Sequence, residues 1–210
     1  MPSKELSWKY VEQTTVEPTE ILGVRAQSLE QGIDAVTAAT GAQLALLCGA
    51  VDARSIIEIG TGLGVSGLWM LHGAPNAHLT SIDLEADHHE VARAAFSEAG
   101  HAAARVRLIT GRALEVLPRM NEASYDVVLV DADPAGVLDY IAHAIRLVRV
   151  GGLVLVPHAL WRDLVPDPAK RDGVTAQLRG VLRDLRESPA VRIAVSPTGD
   201  GLLQILTLAE

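Results

Sequence analysis

The hydrophobic positions of this chain fall into short, near-continuous apolar runs separated by longer mixed segments. Such runs are typical of strands that are covered on both faces, as in a parallel sheet flanked by helices. They predict five strands, at residues 55–59, 78–83, 106–110, 125–130 and 153–157. The intervening segments predict helices at residues 65–71, 86–99, 113–120 and 137–148. This alternation of strand and helix predicts an α/β fold with helices on both faces of the sheet.

The two ends of the chain depart from this alternation. Apolar residues recur at helical spacing across 174–185, and apolar runs at 191–195 and 202–208 flank a Ser-Pro-Thr-Gly-Asp-Gly turn. We therefore expect a helix and then a hairpin whose last strand, the seventh, runs antiparallel to the sixth. Near the start, residues 18–31 and 41–48 predict two helices that cover a pocket or form a subunit contact. We predict one domain over 1–210, with N-terminal helices in 1–50 and the α/β core in 51–210.

Composition narrows the classes of partner. The 210 residues are 49% hydrophobic and 21% charged, which is ordinary for a globular domain, and only 3% are aromatic. The net charge of −8 disfavours nucleic acid and anionic lipid as partners. The single cysteine, Cys48, lies in an apolar run and has no internal disulfide partner. No signal region and no apolar run of about 20 residues is present, so we expect a soluble cytoplasmic protein.

The most specific motif follows the first predicted strand. Glu58 precedes three alternate glycines, Gly60, Gly62 and Gly64, and a helix is predicted to open immediately after them. A dinucleotide fingerprint would place its third glycine one position later, and a phosphate-binding loop would need a lysine that this region lacks. An acid beside glycines favours a ligand with a positive charge and a ribose, although glycine-rich strand ends without a ligand also exist. Thr61 and Ser66 accompany this motif.

The ends of the next two predicted strands carry further candidates, because ligands of open α/β sheets bind at the carboxyl ends of the strands. Asp83 ends the second strand and is placed to accept from ribose hydroxyls; the alternative is the N-cap of the following helix. Ala113, after Gly111 and Arg112, could pass beside an adenine ring, or this segment could be a simple turn. His88 is predicted to be a solvated surface residue, as is its neighbour His89.

The fourth and fifth predicted strands end in residues suited to the reaction itself. Asp131 is a candidate metal ligand or polar clamp, whereas Asp133, followed by Pro134, is predicted to cap a helix. His158 follows the fifth strand, and its imidazole is suited to accept a proton near neutral pH. The alternative for His158 is an ordinary hydrogen-bonded surface residue.

Taken together, the motifs resemble the class I S-adenosylmethionine (SAM)-dependent O-methyltransferases of the catechol and caffeoyl-CoA type, especially small bacterial and actinobacterial members. The resemblance covers residues 36–208 and rests on residues 57–62, 66–69, 81–83, 111–117, 130–133, 151–153 and 199–203. It implies a Rossmann-like sheet with seven strands, the last of them antiparallel. It also implies a homodimer and a methyltransferase that acts on a small aromatic hydroxyl acceptor. The residues that would hold SAM are Val36, Glu58, Gly60, Thr61, Gly62, Ser66, Asp83, Ala113 and Asp131.

The chain also departs from this family at the position of the reacting groups. The family pattern has a lysine, the usual base, at the position of Pro134, and an Asp-Asn pair at Pro157 and His158. Asp131 is then the only remaining candidate ligand for Mg²⁺, an ion that prefers oxygen donors in octahedral array. We therefore expect metal dependence to be doubtful. We hypothesise that His158 is the general base, with Asp131 near the sulfonium and the acceptor.

Three other functions stay open from the sequence. The chain could methylate another acceptor class, such as an amine or a nucleobase. It could bind the cofactor with degenerate catalytic machinery, since the usual lysine and metal ligands are replaced. It could also be an NAD-dependent oxidoreductase. In each case the segment 160–173, rich in Pro, Asp and Arg, is the expected wall of the acceptor pocket, and Trp161 could stack on a planar acceptor or serve in packing.

Overall fold

The computed structural model describes residues 4–209, so residues 1–3 and 210 of the predicted domain lie outside the described residues. Seven strands form one sheet. They are β1 (Ser55–Ile59), β2 (His78–Asp83), β3 (Val106–Thr110), β4 (Tyr125–Val130), β5 (Val148–Val156), β6 (Val191–Ser196) and β7 (Leu202–Thr207). The helices are α1 (Lys4–Thr14), α2 (Thr19–Glu30), α3 (Ala38–Ala50), α4 (Val65–Gly73), α5 (Ala86–Glu98), α6 (Ala113–Val116), α7 (Val137–Leu147) and α8 (Gly173–Glu187).

The strand order is β3-β2-β1-β4-β5-β7-β6. Strands β1 to β5 pair in parallel, and β7 runs antiparallel to both β5 and β6. This confirms the predicted mostly parallel sheet and its antiparallel last strand. The sequence pattern did not indicate that β7 would lie between β5 and β6 rather than at the edge.

Both faces of the sheet are covered, which explains the near-continuous apolar runs. Ile56 and Ile57 are neighbours in β1 and each is fully buried, yet they belong to two different apolar clusters. Successive side chains of a strand point to opposite faces, so a strand between two helical layers is apolar at most of its positions. The cluster around Ile56 packs with α2 to α5, and the cluster around Ile57 packs with α7 and α8.

Two predicted boundaries were wrong, and one helix was missed. The helix predicted over 113–120 is the short α6 followed by a 3₁₀ turn at Leu117–Arg119, since Pro118 cannot donate the next helical hydrogen bond. The chain passes from α7 directly into β5 at Val148, with a ladder irregularity between Tyr125 and Val127, whereas the strand was predicted to begin at residue 153. Helix α1 was not predicted at all, and none of its described residues is buried.

The N-terminal helices are tied to the core through polar contacts. Glu12 of α1 accepts from the Thr37 hydroxyl at 2.6 Å and from the Ala39 amide at 3.1 Å, at the start of α3. Glu17 accepts from Trp69 Nε1 of α4 at 3.1 Å and pairs with Arg25 of α2 at 2.6 Å. These contacts fix the connector between α2 and α3 over the carboxyl ends of the strands. No helix within residues 4–209 is long and apolar enough to cross a membrane.

Candidate functional site

A cavity of about 810 Å³ opens at the carboxyl ends of the parallel strands. Its walls come from the turns after each of the parallel strands β1 to β5, from the connector between α2 and α3, and from the turn between β6 and β7. The structure brings nearly all of the predicted site residues to this one cavity. They are Val36, Gly60, Thr61, Gly62, Ser66, Asp83, Ala113, Asp131 and His158.

The floor of the cavity is the glycine turn between β1 and α4. Gly60 has a φ of +96°, and a Cβ at this position would collide with the backbone oxygen of Asp131 on the neighbouring strand. Asp131 in turn donates its amide to Ile59 at 2.8 Å, so the two strand ends lie in direct contact. Only glycine can occupy position 60 without displacing β4.

Asp83 at the end of β2 stabilises the same turn. Its Oδ2 accepts from the amides of Thr61 and Gly62, each at 2.9 Å, and its Oδ1 accepts from the Glu85 amide at 3.0 Å. The residue at the N-cap of α5 is Glu85 and not Asp83, so the alternative role considered for Asp83 is not the one observed. His88 Nδ1 lies 3.6 Å from Asp83 Oδ1 and has no hydrogen-bond partner among the described residues.

Glu58 is the one predicted site residue that does not reach the cavity. It is fully buried beneath the floor, where its two carboxyl oxygens accept from Ser66 Oγ at 2.5 Å and from Ser81 Oγ at 2.6 Å. Burial raises the pKa of Glu58 to about 8, against the lowering effect of the two hydroxyl donors. Glu58 therefore fixes the side chain of Ser66 from its buried side, and Ser66 itself lines the cavity.

The prediction that His89 is a solvated surface residue was wrong. Its side chain is buried, with Nε2 lying 3.0 Å from Thr61 Oγ1 and Nδ1 lying 2.9 Å from Thr110 Oγ1. Thr61 Oγ1 also lies 2.6 Å from Ser81 Oγ, so hydrogen bonds run continuously from Glu58 to β3. Burial lowers the pKa of His89, which favours its neutral form in this chain of hydroxyls. His88 is half-buried and lines the cavity.

At the other end of the cavity, His158 lies between two carboxylates. Its Nε2 is 3.7 Å from Asp131 Oδ1, and its Nδ1 is 3.5 Å from Asp200 Oδ2. Burial raises the pKa of Asp131, with His158 opposing the shift and Asp34 adding to it. Asp200 was not predicted as a site residue, although it stands in the Gly-Asp-Gly turn on which the resemblance partly rested.

The backbone around His158 is held in an uncommon conformation. His158, Trp161, Arg162 and Asp163 have φ values of 58°, 48°, 54° and 61°. The turn between β6 and β7 fixes this segment, because Asp200 Oδ1 accepts from the Arg162 amide at 2.6 Å and the Asp200 carbonyl accepts from the Leu160 amide at 3.0 Å. Left-handed non-glycine residues persist only where their surroundings impose them, and they cluster at functional sites.

A single arginine holds the rest of the predicted acceptor wall. Arg179 of α8 donates to the backbone carbonyls of Leu164 at 2.8 Å, Val165 at 2.7 Å and Lys170 at 2.5 Å, and to that of Asp167. The segment 160–171 has no long helix or strand of its own, so these bonds replace the ladder that a regular element would provide. Sequence reasoning missed this role, since Arg179 stands outside every motif.

Asp133 lies where it was predicted to lie. Its Oδ1 accepts from the Ala135 amide at 3.0 Å and caps a 3₁₀ turn at Pro134–Gly136. This confirms the predicted capping role of its carboxylate. The side chain of Asp131, two residues earlier, lines the cavity.

The donor set around Asp131 does not fit a divalent metal ion. Within residues 4–209, no group of three or more His, Cys, Asp or Glu side chains is arranged to hold one. Pro157 contributes no side-chain donor, and an imidazole that lies between the carboxylates of Asp131 and Asp200 is a poor site for a hard ion such as Mg²⁺, which prefers oxygen ligands in octahedral array.

Comparisons with known proteins agree with this geometry. The sequence model of the O-methyltransferase family matches residues 17–208. A Mycobacterium tuberculosis protein named as a probable O-methyltransferase is 42% identical over 204 residues, which cover 96% of this chain and 91% of that protein. A solved structure from Corynebacterium glutamicum has a TM-score of 0.89 at 30% identity and covers 98% of this chain and 97% of that one.

A further solved structure was determined with SAM bound. The O-methyltransferase TomG of Streptomyces achromogenes, involved in tomaymycin synthesis and solved in complex with SAM, has a TM-score of 0.85 at 27% identity, and 100% of each chain is covered. The family-level resemblance stated from the sequence is confirmed, and the chain belongs to the O-methyltransferase family.

Proposed function

We propose that this chain transfers the methyl group of SAM to the hydroxyl of a small aromatic acceptor, with His158 as the general base. The observation that carries the proposal is the position of His158. Its imidazole lies in the same cavity as the glycine turn, at the opposite end, between the carboxylates of Asp131 and Asp200. One cavity thus has an end suited to a nucleoside and an end suited to deprotonating an acceptor.

The residues at the first end fit SAM. Gly60 and Gly62 present backbone without a Cβ, Ala113 presents a small side chain to an adenine, and Val36 borders the methionine end. A carboxylate has about four acceptor positions, and three of those on Asp83 are filled by amides, which leaves Oδ1 open to a ribose hydroxyl. The unpartnered His88 Nδ1 beside it offers a second polar group. When bound there, SAM supplies an electrophilic methyl group on a positively charged sulfur.

The residues at the second end accept the proton of the acceptor hydroxyl and stabilise the charge that results. The acceptor hydroxyl gives its proton to His158 Nε2, and the oxygen electron pair forms the bond to the methyl carbon. The carbon–sulfur electron pair remains on sulfur, so charge and atoms balance. Asp131 and Asp200 stabilise the imidazolium that forms, and Asp200 also orients the ring from its Nδ1 side. Asp200 is in this sense a positioning residue. Proton transfer by such a base contributes about 10²- to 10⁴-fold to a rate.

A titration and an acceptor screen test the proposal. S-adenosylhomocysteine (SAH) and NAD are titrated by calorimetry, and phenols and catechols are then screened for methylation with and without Mg²⁺. We expect SAH to bind, NAD not to bind, and turnover not to require Mg²⁺. Binding of NAD in place of SAH would overturn the proposal. Binding of SAH without methylation of any acceptor would favour a cofactor-binding protein with degenerate machinery.

We also propose that the protein is cytoplasmic and that it forms a homodimer; the resemblance implies the dimer. The support is a set of exposed apolar side chains on the N-terminal helices, among them Tyr10 at 68%, Leu22 at 50%, Leu29 at 80% and Leu46 at 72% exposure. Light scattering on the purified chain measures its mass directly, and a monomer at micromolar concentration would contradict this assembly.

A further inference from the structure

A small recess opens from the cavity beside the reacting groups. It has a volume of about 50 Å³ and is bordered by Asp131 and His158. Since a water-sized sphere needs roughly 10–15 Å³ by such a measure, the recess has room for about three to five atoms. Its occupant must therefore be a small substituent of the acceptor rather than the whole molecule.

Most of the walls of the recess are carbon. Val137, Val156 and Leu178 are 7%, 2% and 3% exposed, and they close the recess from α7, β5 and α8. Pro134 and Pro157 add walls that carry no side-chain hydrogen-bond donor or acceptor, and Tyr140 and Trp161 border the recess where it meets the cavity. A hydroxyl placed against the aliphatic walls would lose its hydrogen bonds to water without replacement, which is costly, whereas an alkyl group would gain by leaving water.

Two of the polar groups that border both the recess and the cavity are already directed at each other. Asp131 Oδ1 and His158 Nε2 are 3.7 Å apart, and His158 Nδ1 is turned towards Asp200. One acceptor hydroxyl can engage this pair, but a second hydroxyl on the adjacent atom would point into the recess. The prolines at 134 and 157 are this chain's own feature, because the resemblance implied a charged residue at each of these positions.

We infer that the acceptor carries a single reacting hydroxyl with a small alkyl group, of about two or three carbons, on the adjacent atom. This rests on the proposed function for the direction in which the acceptor lies. Asp131 and His158 are among the six residues that border both the cavity and the recess, so the group in the recess is attached next to the carbon that bears the hydroxyl. A vicinal diol is the disfavoured alternative.

Three probes of similar shape test the inference: phenol, catechol and 2-ethylphenol. Each is titrated by NMR into the free protein and into the protein saturated with SAH. Burial of each additional carbon strengthens binding by about fourfold, so 2-ethylphenol is expected to bind roughly 4- to 15-fold more tightly than phenol, and catechol no more tightly than phenol. Equal binding of 2-ethylphenol and phenol, or tighter binding of catechol than of 2-ethylphenol, would overturn the inference.

Variants of α8 assign the effect to the recess. Leu178→Phe fills the recess and is expected to abolish the advantage of 2-ethylphenol, while Leu182→Phe, a buried change on the same helix outside the recess, is expected to keep it. Leu178→Ala enlarges the recess and should move the tightest binding to 2-butylphenol. An unchanged order of affinities in Leu178→Ala would count against the inference even if the Phe variant fails to fold.

The outcomes separate this inference from the proposed function. If SAH does not bind, the proposed function fails, and the titrations of the free protein still decide the chemistry of the recess. If SAH binds and the three probes bind alike, the proposed function stands and the acceptor class inferred here is wrong.

Discussion

The two ends of the cavity are built in different ways. At the glycine turn, buried strand ends are joined by hydrogen bonds of 2.5–3.0 Å that link Glu58, Ser66, Thr61 and Asp83. At the acceptor end, charged side chains from irregular segments approach His158 only to 3.5 and 3.7 Å. The first end is part of the sheet itself. The second end is attached to the sheet from outside, by the turn that contains Asp200 and by Arg179.

This difference predicts which property each end controls. Groups at the glycine turn contribute to the core, so changing them should lower stability and cofactor affinity together. Groups at the acceptor end are partly exposed, with His158 at 37% and Asp200 at 22% exposure of their side chains. Changing them should lower turnover while stability and cofactor affinity are kept. This contrast is wrong if substitutions at the acceptor end lower stability and cofactor affinity, or if substitutions at the glycine turn lower turnover alone.

Replacement of Gly60 should have the largest effect. In Gly60→Ala the added Cβ would collide with the Asp131 carbonyl, and the φ of +96° is strained for alanine. We expect loss of more than about 4 kcal/mol of unfolding free energy, in the range of exceptional single substitutions, with loss of SAH binding. Urea denaturation and SAH calorimetry measure both.

Gly32 provides the matched control for that variant. It also has a left-handed φ, of +68°, but a Cβ there meets nothing within 4 Å. Gly32→Ala therefore carries the backbone strain alone, of about 1–2 kcal/mol. Equal losses of unfolding free energy in the two variants would show that the contact between β1 and β4 contributes nothing to stability.

Replacement of His158 should have the next largest effect, and only on turnover. Asparagine tolerates the left-handed backbone that His158 adopts, so His158→Asn removes the imidazole with little added strain. We expect kcat to fall by about 10²- to 10⁴-fold and the Kd of SAH to stay within about twofold. His78→Asn, an exposed change at the far end of β2, is the control. Unchanged kcat in His158→Asn would exclude His158 as the base.

The same contrast explains what could be predicted from the sequence. The glycine turn was found because its residues are adjacent in the chain. Their spacing excludes a dinucleotide fingerprint, and the absence of a lysine excludes a phosphate-binding loop. His89 was missed because it was paired with His88, whereas its helical spacing to Ala92 and Phe96 indicates the buried face of α5.

The acceptor end was harder to predict for a physical reason. Its groups meet only through tertiary structure, because Asp200 comes from a hairpin that inserts β7 beside β5. No local period or spacing encodes that contact. The recess behind His158 likewise depends on three elements, α7, β5 and α8, whose relative placement is set by the core.

Glu58 gives a pH-dependent test of the glycine end. Its pKa rises from 4.5 to about 8 in the folded chain, so between these values the folded state binds more protons than the unfolded state. The free energy of unfolding then falls as pH rises through this window, by at most about 1.4 kcal/mol per pH unit, and levels off above it. Glu58→Gln, which cannot ionise, should lack this slope.

The best window for that measurement lies between pH 6.5 and 8. Burial lowers the pKa values of His89 and His101 below 6.5, so they contribute a slope of opposite sign at lower pH, where unfolding lets them bind protons. Urea unfolding of both proteins across the upper window isolates Glu58. Parallel curves for the parent and Glu58→Gln would mean that Glu58 is ionised in the folded protein, and that the polar core of the glycine end differs little from the exposed acceptor end.

Replacement of Asp200 should have the smallest effect and is the sharpest test of the acceptor end. In Asp200→Asn the side-chain oxygen can still accept from the Arg162 amide, so the turn is kept while the charge beside His158 Nδ1 is lost. We expect kcat to fall by about tenfold, at the low end for one group that stabilises a charge, with KM and the Kd of SAH unchanged.

Asp200→Glu should recover part of kcat, because a carboxylate is restored. Asp163→Asn removes the same charge from an exposed position on the neighbouring segment, next to Arg162, and should change nothing. A rise in KM with constant kcat would instead mean that Asp200 shapes the acceptor wall through Arg162, and that His158 is positioned by Asp131 alone.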